Sequence, residues 1–230
     1  LSRDLMILHT KIPATLEKTY PIHIEAGLLN NADWLPKNFA FNQIVIITDH
    51  HVKKLYAKKL ISALNRKGYQ PFLFSFQAGE KSKTQLTKQK LEDSLFKYRC
   101  GRDTLCIALG GGVVGDITGY LAATYMRGIP YIQIPTTLLA MTDSSVGGKT
   151  GINTHYGKNL IGAFWQPKAV IIDIDCLKSL SKKQKINGLL EAIKIFLTHD
   201  AKSFFYLKNR LSKIILDNEK TLQSIITRAI

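Results

Sequence analysis

Residues 105–120 read LCIALGGGVVGDITGY, and this stretch decides the fold. Leu105–Leu109 is a short, continuously apolar run, which is typical of a strand buried on both faces of a sheet. The run leads directly into Gly110, Gly112 and Gly115, whose G-x-G-x-x-G spacing allows a tight turn and a close approach of backbone to a pyrophosphate. Helix-forming sequence follows. A buried strand, a glycine turn and a helix N-terminus together predict an anion-binding site.

The glycine turn departs from the common dinucleotide-binding pattern. That pattern has an acidic residue about 20 positions farther on, but Pro135 stands there and the acid nearest to it is Asp143. The turn also lies in the middle of the chain and not in its first strand–helix connection. A glycine turn with a purely structural role therefore stays open as an alternative.

Around this stretch, strand signals alternate with amphipathic helical stretches, which predicts an α/β fold with a mostly parallel sheet flanked by helices. Asp49 follows the second strand as a helix N-cap, the helix after it ends at Gly68, and a further helix is predicted over Ser82–Tyr98. Strands are predicted at Ile22–Glu25, Ile44–Thr48, Pro71–Phe76, Leu105–Leu109, Tyr131–Ile134 and Val170–Ile174.

The sequence changes in character near residues 176–180, and beyond them only helix-forming sequence is found. We therefore predict an α/β domain over residues 1–177 and the beginning of an all-helical domain over residues 178–230. An apolar helical stripe then runs to Ile230 without a glycine or proline to end it, so we expect this domain to be truncated and the stripe to be exposed. Its residues are Leu222, Ile225, Ile226 and Ala229.

The chain is strongly basic, with 32 Lys and Arg against 17 Asp and Glu and a formal net charge of +15. The basic residues are spread over helix faces, and no segment has zinc-finger or RNP spacing, so we expect no nucleic-acid partner. No apolar run approaches the ~20 residues of a membrane span. Cys100, Cys106 and Cys176 lack CxxC spacing, which indicates reduced thiols and a cytoplasmic protein.

Residues 147–150 read GGKT and resemble the end of a P-loop. A P-loop requires a glycine five residues before its GK[ST], and that position is Asp143. The motif is therefore not a nucleoside-triphosphate site. Lys149 still follows two glycines, which favours contact with an anionic ligand.

The region from Gly110 to Lys168 closely resembles the core of 3-dehydroquinate synthases. Its residues are GGGVVGDITGYLAATYMRGIPYIQIPTTLLAMTDSSVGGKTGINTHYGKNLIGAFWQPK. The preceding Gly79–Lys83 and the following Gly188–Lys194 match motifs of the same family in order and spacing. The resemblance covers essentially the whole chain and implies a Rossmann-like fold.

The resemblance also implies a reaction of the shikimate pathway. The family converts 3-deoxy-arabino-heptulosonate 7-phosphate, an anionic sugar phosphate, into 3-dehydroquinate and phosphate. NAD oxidises a hydroxyl transiently and recovers its hydride, and a divalent metal, zinc or cobalt, assists. The family relationship further implies a homodimer for the full-length enzyme.

Family positions carry over to this sequence residue by residue. The resemblance assigns catalytic or substrate contacts to Asp143, Lys149, Asn159 and Lys194, and the metal to Glu191. Lysines suit a substrate that carries both carboxylate and phosphate. The implied cofactor contacts, of which Asp49 is the least secure, are Asp49, Glu80, Lys83, Gly112, Val113, Val114, Gly115, Asp116, Thr136, Thr137, Lys149, Lys158, Cys176, Leu177, Lys178 and Ser179.

Plainer interpretations remain open for several of these residues. Glu191 and Lys194 lie three apart on a helix and are also typical of a surface ion pair. Asp116 also suits a helix cap, and Thr136 with Thr137 a strand-end turn. The departures from the family pattern are Ala78, Leu190, Ala192 and Ile195.

Glu191 is the one credible metal ligand in the sequence, because the histidines have neither HxxxH nor HExxH spacing. They are His9, His23, His50, His51, His155 and His199. In the family, two further histidine ligands come from a region beyond these residues. We therefore expect this 230-residue chain to be inactive by itself.

Three alternatives remain beside a 3-dehydroquinate synthase. The first is another sugar-phosphate cyclase or a metal-dependent polyol dehydrogenase on the same scaffold. The second is a nucleotide-binding module without catalysis, and the third is a basic nucleic-acid binder. Titrations with NAD and with an oligonucleotide at two salt concentrations distinguish the last two.

Overall fold

The structure is a computed structural model that describes residues 19–36, 40–210 and 219–230. The predicted central strand is β4 (Thr104–Gly110), and each of its seven residues is buried. Cys106 contacts the core on one face of the sheet, whereas Leu105 and Ile107 belong to the core on the other. This arrangement explains the continuous apolar run, because a central strand has no solvent-facing side.

Six parallel strands form the main sheet, in the order β1 (Ile22–Glu25), β8 (Val170–Asp173), β5 (Tyr131–Pro135), β4, β2 (Gln43–Asp49) and β3 (Phe72–Phe76). The predicted strands are all present, so the expectation of a mostly parallel α/β fold is confirmed.

Helices cover both faces of the sheet. One core cluster includes Leu60, Leu64 and Phe196, and the other includes Leu95 and Leu121. The helices are α1 (His50–Val52), which continues through a π-helical segment (Lys53–Ala57) into α2 (Lys58–Arg66), then α3 (Gln85–Lys97), α4 (Gly112–Thr124), α5 (Lys182–His199), α6 (Ala201–Lys208) and α7 (Glu219–Ala229).

The sequence did not predict an antiparallel hairpin between β6 (Lys149–Thr154) and β7 (Gly157–Phe164). Two residues, His155 and Tyr156, connect the strands. Two-residue connections are a hairpin signal, but these side chains are not the Asn and Gly usual there. Most of β7 is exposed, so it has no alternating apolar pattern.

Helix α3 begins later than predicted. Glu80–Ser82 forms a short 3-10 turn, and the helix starts only after Thr84, whose hydroxyl accepts a hydrogen bond from Thr87 N at 3.2 Å. Lys83 therefore lies in the connection between the turn and the helix. Its Nζ contacts Asp116 of α4 and Asn159 of β7.

The prediction that the stripe on α7 is exposed is wrong. Leu222, Ile225 and Ile226 are buried in the same core cluster as the sheet. Gln223 Nε2 also donates to Ile24 O of β1 at 2.9 Å. The helices after residue 178 thus pack on the sheet, and the division into domains 1–177 and 178–230 stays a prediction.

A buried carboxylate fastens β1 to the end of β8. Asp173 has no exposed surface, and it accepts hydrogen bonds from the backbone N–H groups of Gly27 and Leu29, each at 2.8 Å. A third comes from Asp175 N at 3.0 Å. These donors satisfy a charge that would otherwise be costly to bury.

The cysteines and the helices were also the subject of sequence-based expectations. Cys100, Cys106 and Cys176 are all buried free thiols, as their spacing predicted. None of the helices within the described ranges has the length and apolarity that a membrane crossing demands.

Candidate active site

The glycine turn lies between β4 and α4, as predicted. Gly111 is the N-cap of α4, and the first N–H groups of a helix have no carbonyl partner inside it. A Cβ atom on Gly111 would lie 3.2 Å from Cγ2 of Thr137, and one on Gly112 would lie 3.1 Å from Oγ of Ser144. The absence of side chains leaves the N–H groups of the turn accessible to an anion.

These N–H groups face a cleft of about 480 Å³ at the carboxyl ends of β2, β4 and β5, which we call the glycine cleft. Ligands bind at this edge in open α/β sheets. Its lining comes from the glycine turn, the loop after β5, α1 with the π-helical segment that follows it, and the segment after β8. The predicted residues on it are Asp49, Gly112, Val113, Val114, Thr136, Thr137 and Ser179.

Asp49 has the N-cap role that was predicted for it. Its Oδ1 accepts hydrogen bonds from His51 N and Val52 N, both at 2.8 Å. The carboxylate is thereby held at the end of β2, next to β4 in the sheet. Its contact with the cofactor stays a prediction.

Tyr56 is a residue of the glycine cleft that the sequence did not indicate. Its hydroxyl donates to Cys176 O at 3.0 Å and also bonds Oγ of Ser179, so it joins the π-helical segment to the turn after β8. Burial raises the pKa of the Tyr56 hydroxyl, which keeps it a neutral donor. In the sequence Tyr56 is one of several apolar positions on a helix, and this pattern carries no functional signal.

The four residues Cys176–Ser179 are placed differently from one another. Cys176 and Leu177 are buried in the core, and burial raises the pKa of the Cys176 thiol. Lys178 forms ion pairs with Asp175 and Glu219, and the Asp175 and Glu219 carboxylates raise its pKa. Among the four, Ser179 lines the glycine cleft.

A second cleft of about 510 Å³ lies beyond Ser144, between α4, the π-helical turn Ala140–Ser144 and the β6–β7 hairpin. We call it the lysine cleft. Four predicted residues from four different elements line it together, namely Asp116, Asp143, Lys149 and Asn159. Because Gly112 of the glycine cleft approaches Ser144 of the lysine cleft, the two clefts share a wall.

Lys149 begins a strand and does not precede a helix. The phosphates of a P-loop lie against a helix N-terminus. The structure therefore agrees with the rejection of a P-loop at residues 147–150.

Lys83 connects α4, the helix that follows the glycine turn, to the β6–β7 hairpin. Its Nζ forms an ion pair with Oδ2 of Asp116 and a hydrogen bond with Oδ1 of Asn159. The Lys83 side chain is 6% exposed and that of Asp116 is 18% exposed. Burial raises the pKa of Asp116, although Lys83 acts in the opposite direction. Asp116 thus has a structural partner and does not cap α4 through its side chain.

We expect Asp116→Leu to lower the free energy of unfolding by about 3 kcal/mol, because it leaves the buried Lys83 ammonium without its carboxylate. The double variant Lys83→Met with Asp116→Leu removes both charges and should recover most of that loss. Urea unfolding followed by circular dichroism measures both. A double variant no more stable than Asp116→Leu would contradict the assignment.

Glu80 and Lys158 line neither the glycine cleft, which Gly79 next to Glu80 does line, nor the lysine cleft. They line a separate open cavity of about 670 Å³ between the start of α3 and the hairpin turn. Oε1 of Glu80 accepts a hydrogen bond from Asn153 Nδ2 at 2.7 Å. Lys158 is exposed.

Glu191 and Lys194 form an i,i+3 ion pair on α5. The Glu191 carboxylate, with a smaller contribution from Asp143, raises the pKa of Lys194. Oε1 of Glu191 is buried and, among the described residues, has no hydrogen bond of acceptable geometry besides this ionic contact. Such an atom is suited to a cation, and no described group of three or more His, Cys, Asp or Glu side chains is placed to hold a metal.

A parallel sheet with a glycine turn, a helix N-terminus and a cleft at its carboxyl edge places the chain among the Rossmann-like α/β proteins. The family model described as 3-dehydroquinate synthase N-terminal matches residues 73–187. This chain therefore belongs to the 3-dehydroquinate synthase family.

Curated relatives agree with this assignment. A 3-dehydroquinate synthase from Prochlorococcus marinus (strain MIT 9215) is 45% identical over 215 residues, covering 91% of this chain and 59% of the relative. One from Thermodesulfovibrio yellowstonii is 44% identical over 214 residues, covering 93% and 60% respectively. The chain thus spans about 60% of the length of these relatives.

Solved structures have the same fold. A 2-epi-5-epi-valiolone synthase from Streptomyces hygroscopicus subsp. jinggangensis 5008, with NAD+ and Zn2+ bound, has a TM-score of 0.86 and 29% identity, covering 96% of this chain and 61% of that one. Glycerol dehydrogenase from Schizosaccharomyces pombe has a TM-score of 0.72 and 18% identity, covering 94% and 60%. The second likeness concerns the fold alone.

Proposed function

We propose that the full-length protein is a 3-dehydroquinate synthase, and that this chain contributes its NAD site and part of its substrate site. The substrate is then 3-deoxy-arabino-heptulosonate 7-phosphate, and the products are 3-dehydroquinate and phosphate. The observation that carries the proposal is the lysine cleft. Asp116, Asp143, Lys149 and Asn159 gather there beside the glycine cleft, although they are up to 43 residues apart, from 116 to 159.

The glycine cleft fits NAD. The pyrophosphate would lie against the N–H groups of Gly112, Val113 and Val114, where the helix N-terminus also favours negative charge. Asp49, which is held by its helix-cap hydrogen bonds, is positioned for a ribose hydroxyl. NAD supplies reversible hydride transfer when bound. The shared wall at Gly112 and Ser144 would bring the nicotinamide end close to the lysine cleft.

The lysine cleft fits an anionic polyol. Lys149 supplies a cation at its rim, and Asn159 supplies a neutral amide. The carboxylate of Asp143 is suited to accept hydrogen bonds from substrate hydroxyls. Lys83 holds the Asn159 amide through Oδ1, so its N–H₂ group is left to donate to an oxygen of the substrate.

Glu191 would be a ligand of a divalent metal, which we propose is zinc. When bound, the metal lowers the pKa of a coordinated hydroxyl and thereby assists its oxidation. The buried Oε1 atom of Glu191 supports this role, and Lys194 beside it would shift its ion pair to the substrate.

The 230-residue chain should bind NAD but release no phosphate from the sugar phosphate, even with saturating zinc. A catalytic zinc needs three protein ligands, and the described residues bring no such group together. Calorimetry with NAD and a phosphate-release assay on the same preparation measure both properties. Turnover comparable to that of a complete enzyme would mean that a histidine such as His155 or His199 completes the metal site.

The experiment that tests the function is an assay of the full-length protein with NAD, zinc and the sugar phosphate. A 3-dehydroquinate synthase releases phosphate with no net NADH, because the hydride returns to the substrate. Accumulation of NADH with glycerol would instead identify a polyol dehydrogenase. A protein that binds NAD but has neither activity would be a binding module.

Four further properties follow from the same proposal. The protein acts in the shikimate pathway and in the cytoplasm, which the reduced cysteines support. It is a homodimer at full length, which sedimentation of the purified protein tests. Its basic surface serves an anionic small substrate and not a nucleic acid.

A further inference from the structure

Asn153 lies at an irregularity of the hairpin. Ile152 of β6 pairs with Ile161 of β7, whereas Thr154 pairs with Gly157. One residue of β6 thus faces three of β7, and these three are 158–160. Bulges of this kind displace a strand locally and redirect its side chains, often beside active sites. Here the displaced segment carries two predicted contacts, Lys158 and Asn159.

Three hydrogen bonds of Asn153 hold this segment to the turn before α3. Its backbone N–H donates to Lys83 O at 2.8 Å, and its Nδ2 donates to Glu80 Oε1 at 2.7 Å. Its Oδ1 accepts from the backbone N–H of Asn159 at 3.0 Å. The side chain donates and accepts at the same time, which an amide can do and an ionised carboxylate cannot.

The bond to Asn159 supports an uncommon backbone conformation. Asn159 has φ of +58°, a left-handed value that asparagine tolerates better than most residues. In this conformation its side chain reaches Lys83, which pairs in turn with Asp116. The direction of the Asn159 amide in the lysine cleft therefore depends on the hydrogen bond from its own N–H to Asn153.

We propose that Asn153 is a positioning residue that couples Glu80, a predicted cofactor contact next to Gly79 of the glycine cleft, to the substrate contact Asn159. The roles of Glu80 and Asn159 rest on the proposed function, whereas the hydrogen bonds of Asn153 do not. Asn153 touches neither ligand in this scheme. It acts by fixing the 80–83 turn and the 158–160 segment relative to each other.

The kinetic test is a double-mutant cycle in the full-length protein. Asn153→Asp keeps the acceptor for Asn159 but sets a carboxylate against Glu80, so kcat/KM for phosphate release should fall about tenfold. In the Glu80→Gln background, the new amide can donate to the carboxylate at position 153. There the same substitution should cost less than about threefold. Equal losses in both backgrounds would overturn the coupling, since a residue with only a structural role gives no such rescue.

A second measurement does not depend on activity. In Asn153→Ala, hydrogen exchange of the Asn159 amide should accelerate at least about tenfold, while the amides of β2 keep their protection. Unchanged exchange at Asn159 would refute the proposed role of Asn153 directly. If the wild-type protein releases no phosphate, the proposed function fails, and this exchange experiment still decides whether Asn153 holds the segment.

Discussion

Gly112→Val is expected to weaken NAD binding by about 100-fold or more, because loss of two hydrogen bonds to a charged pyrophosphate costs roughly 3 kcal/mol or more. The valine side chain would stand at the helix N-terminus, beside the N–H groups that line the glycine cleft. A Cβ atom there would lie 3.1 Å from the hydroxyl oxygen of Ser144, a tight contact that rotation of this hydroxyl can relieve. The fold should therefore persist. Calorimetric titration with NAD measures the effect.

Ala123→Val is the matched control, because it adds the same branched side chain to the other end of α4. It should leave NAD affinity within about twofold of the wild type. Gly115 is unsuitable as a control, since a Cβ atom there would lie 2.5 Å from Oε1 of Gln133. Unchanged NAD affinity in Gly112→Val, with an intact circular dichroism spectrum, would show that the pyrophosphate binds elsewhere.

Lys149→Ala should reduce turnover of the full-length protein by about 100- to 1,000-fold, the range seen when one donor to a developing or bound anion is removed from a closed site. Lys149 lines the lysine cleft, and among its described lining residues it is the one basic side chain. Its loss leaves substrate charge without a partner. Phosphate release with NAD and zinc present measures the effect.

Lys97→Ala serves as the control for the loss of one positive charge, because Lys97 is exposed at the end of α3. Its turnover should match the wild type. NAD affinity should be retained in Lys149→Ala to within about threefold if the lysine serves the substrate side. ATP hydrolysis by the wild type that disappears in Lys149→Ala would instead support the P-loop that the strand at this position argues against.

Local sequence signals predicted the parts of the fold that depend on local chemistry. Each of these features depends only on residues a few positions away in the chain. They are the apolar run of β4, the glycines after it and the helix cap at Asp49. Burial of α7 was not predictable in this way, because the helix packs against elements that are distant in the chain, namely the Ala140–Ser144 turn and β1, where Gln223 bonds to Ile24 from 199 residues away. A stripe in a sequence reports that a helix packs, but not where its partner lies.

In the candidate site, too, the sequence indicated individual residues but not the contacts between distant ones. The family motifs indicated Asp116 and Lys83 separately, but not that they form a buried ion pair across 33 residues. The sequence did not indicate Tyr56, because it resembles an aromatic residue of the core. It did not indicate Asn153 either, because this polar residue belongs to a strand that was not predicted. Their roles come from partners that only the folded chain brings near, namely Ser179 for Tyr56 and Glu80 for Asn153.

The position of β1 has a consequence for the order in which the molecule is made. Gly27 meets the Asp173 carboxylate that fixes it only after another 146 residues have followed it along the chain. At ribosomal speeds of about 5–20 residues per second, that interval is roughly 7–30 s. β2, β3, β4 and β5 can pair while synthesis continues, but the edge position beside β8 does not yet exist. Among the six described strands of the sheet, the first to be synthesised is thus the last to find its place.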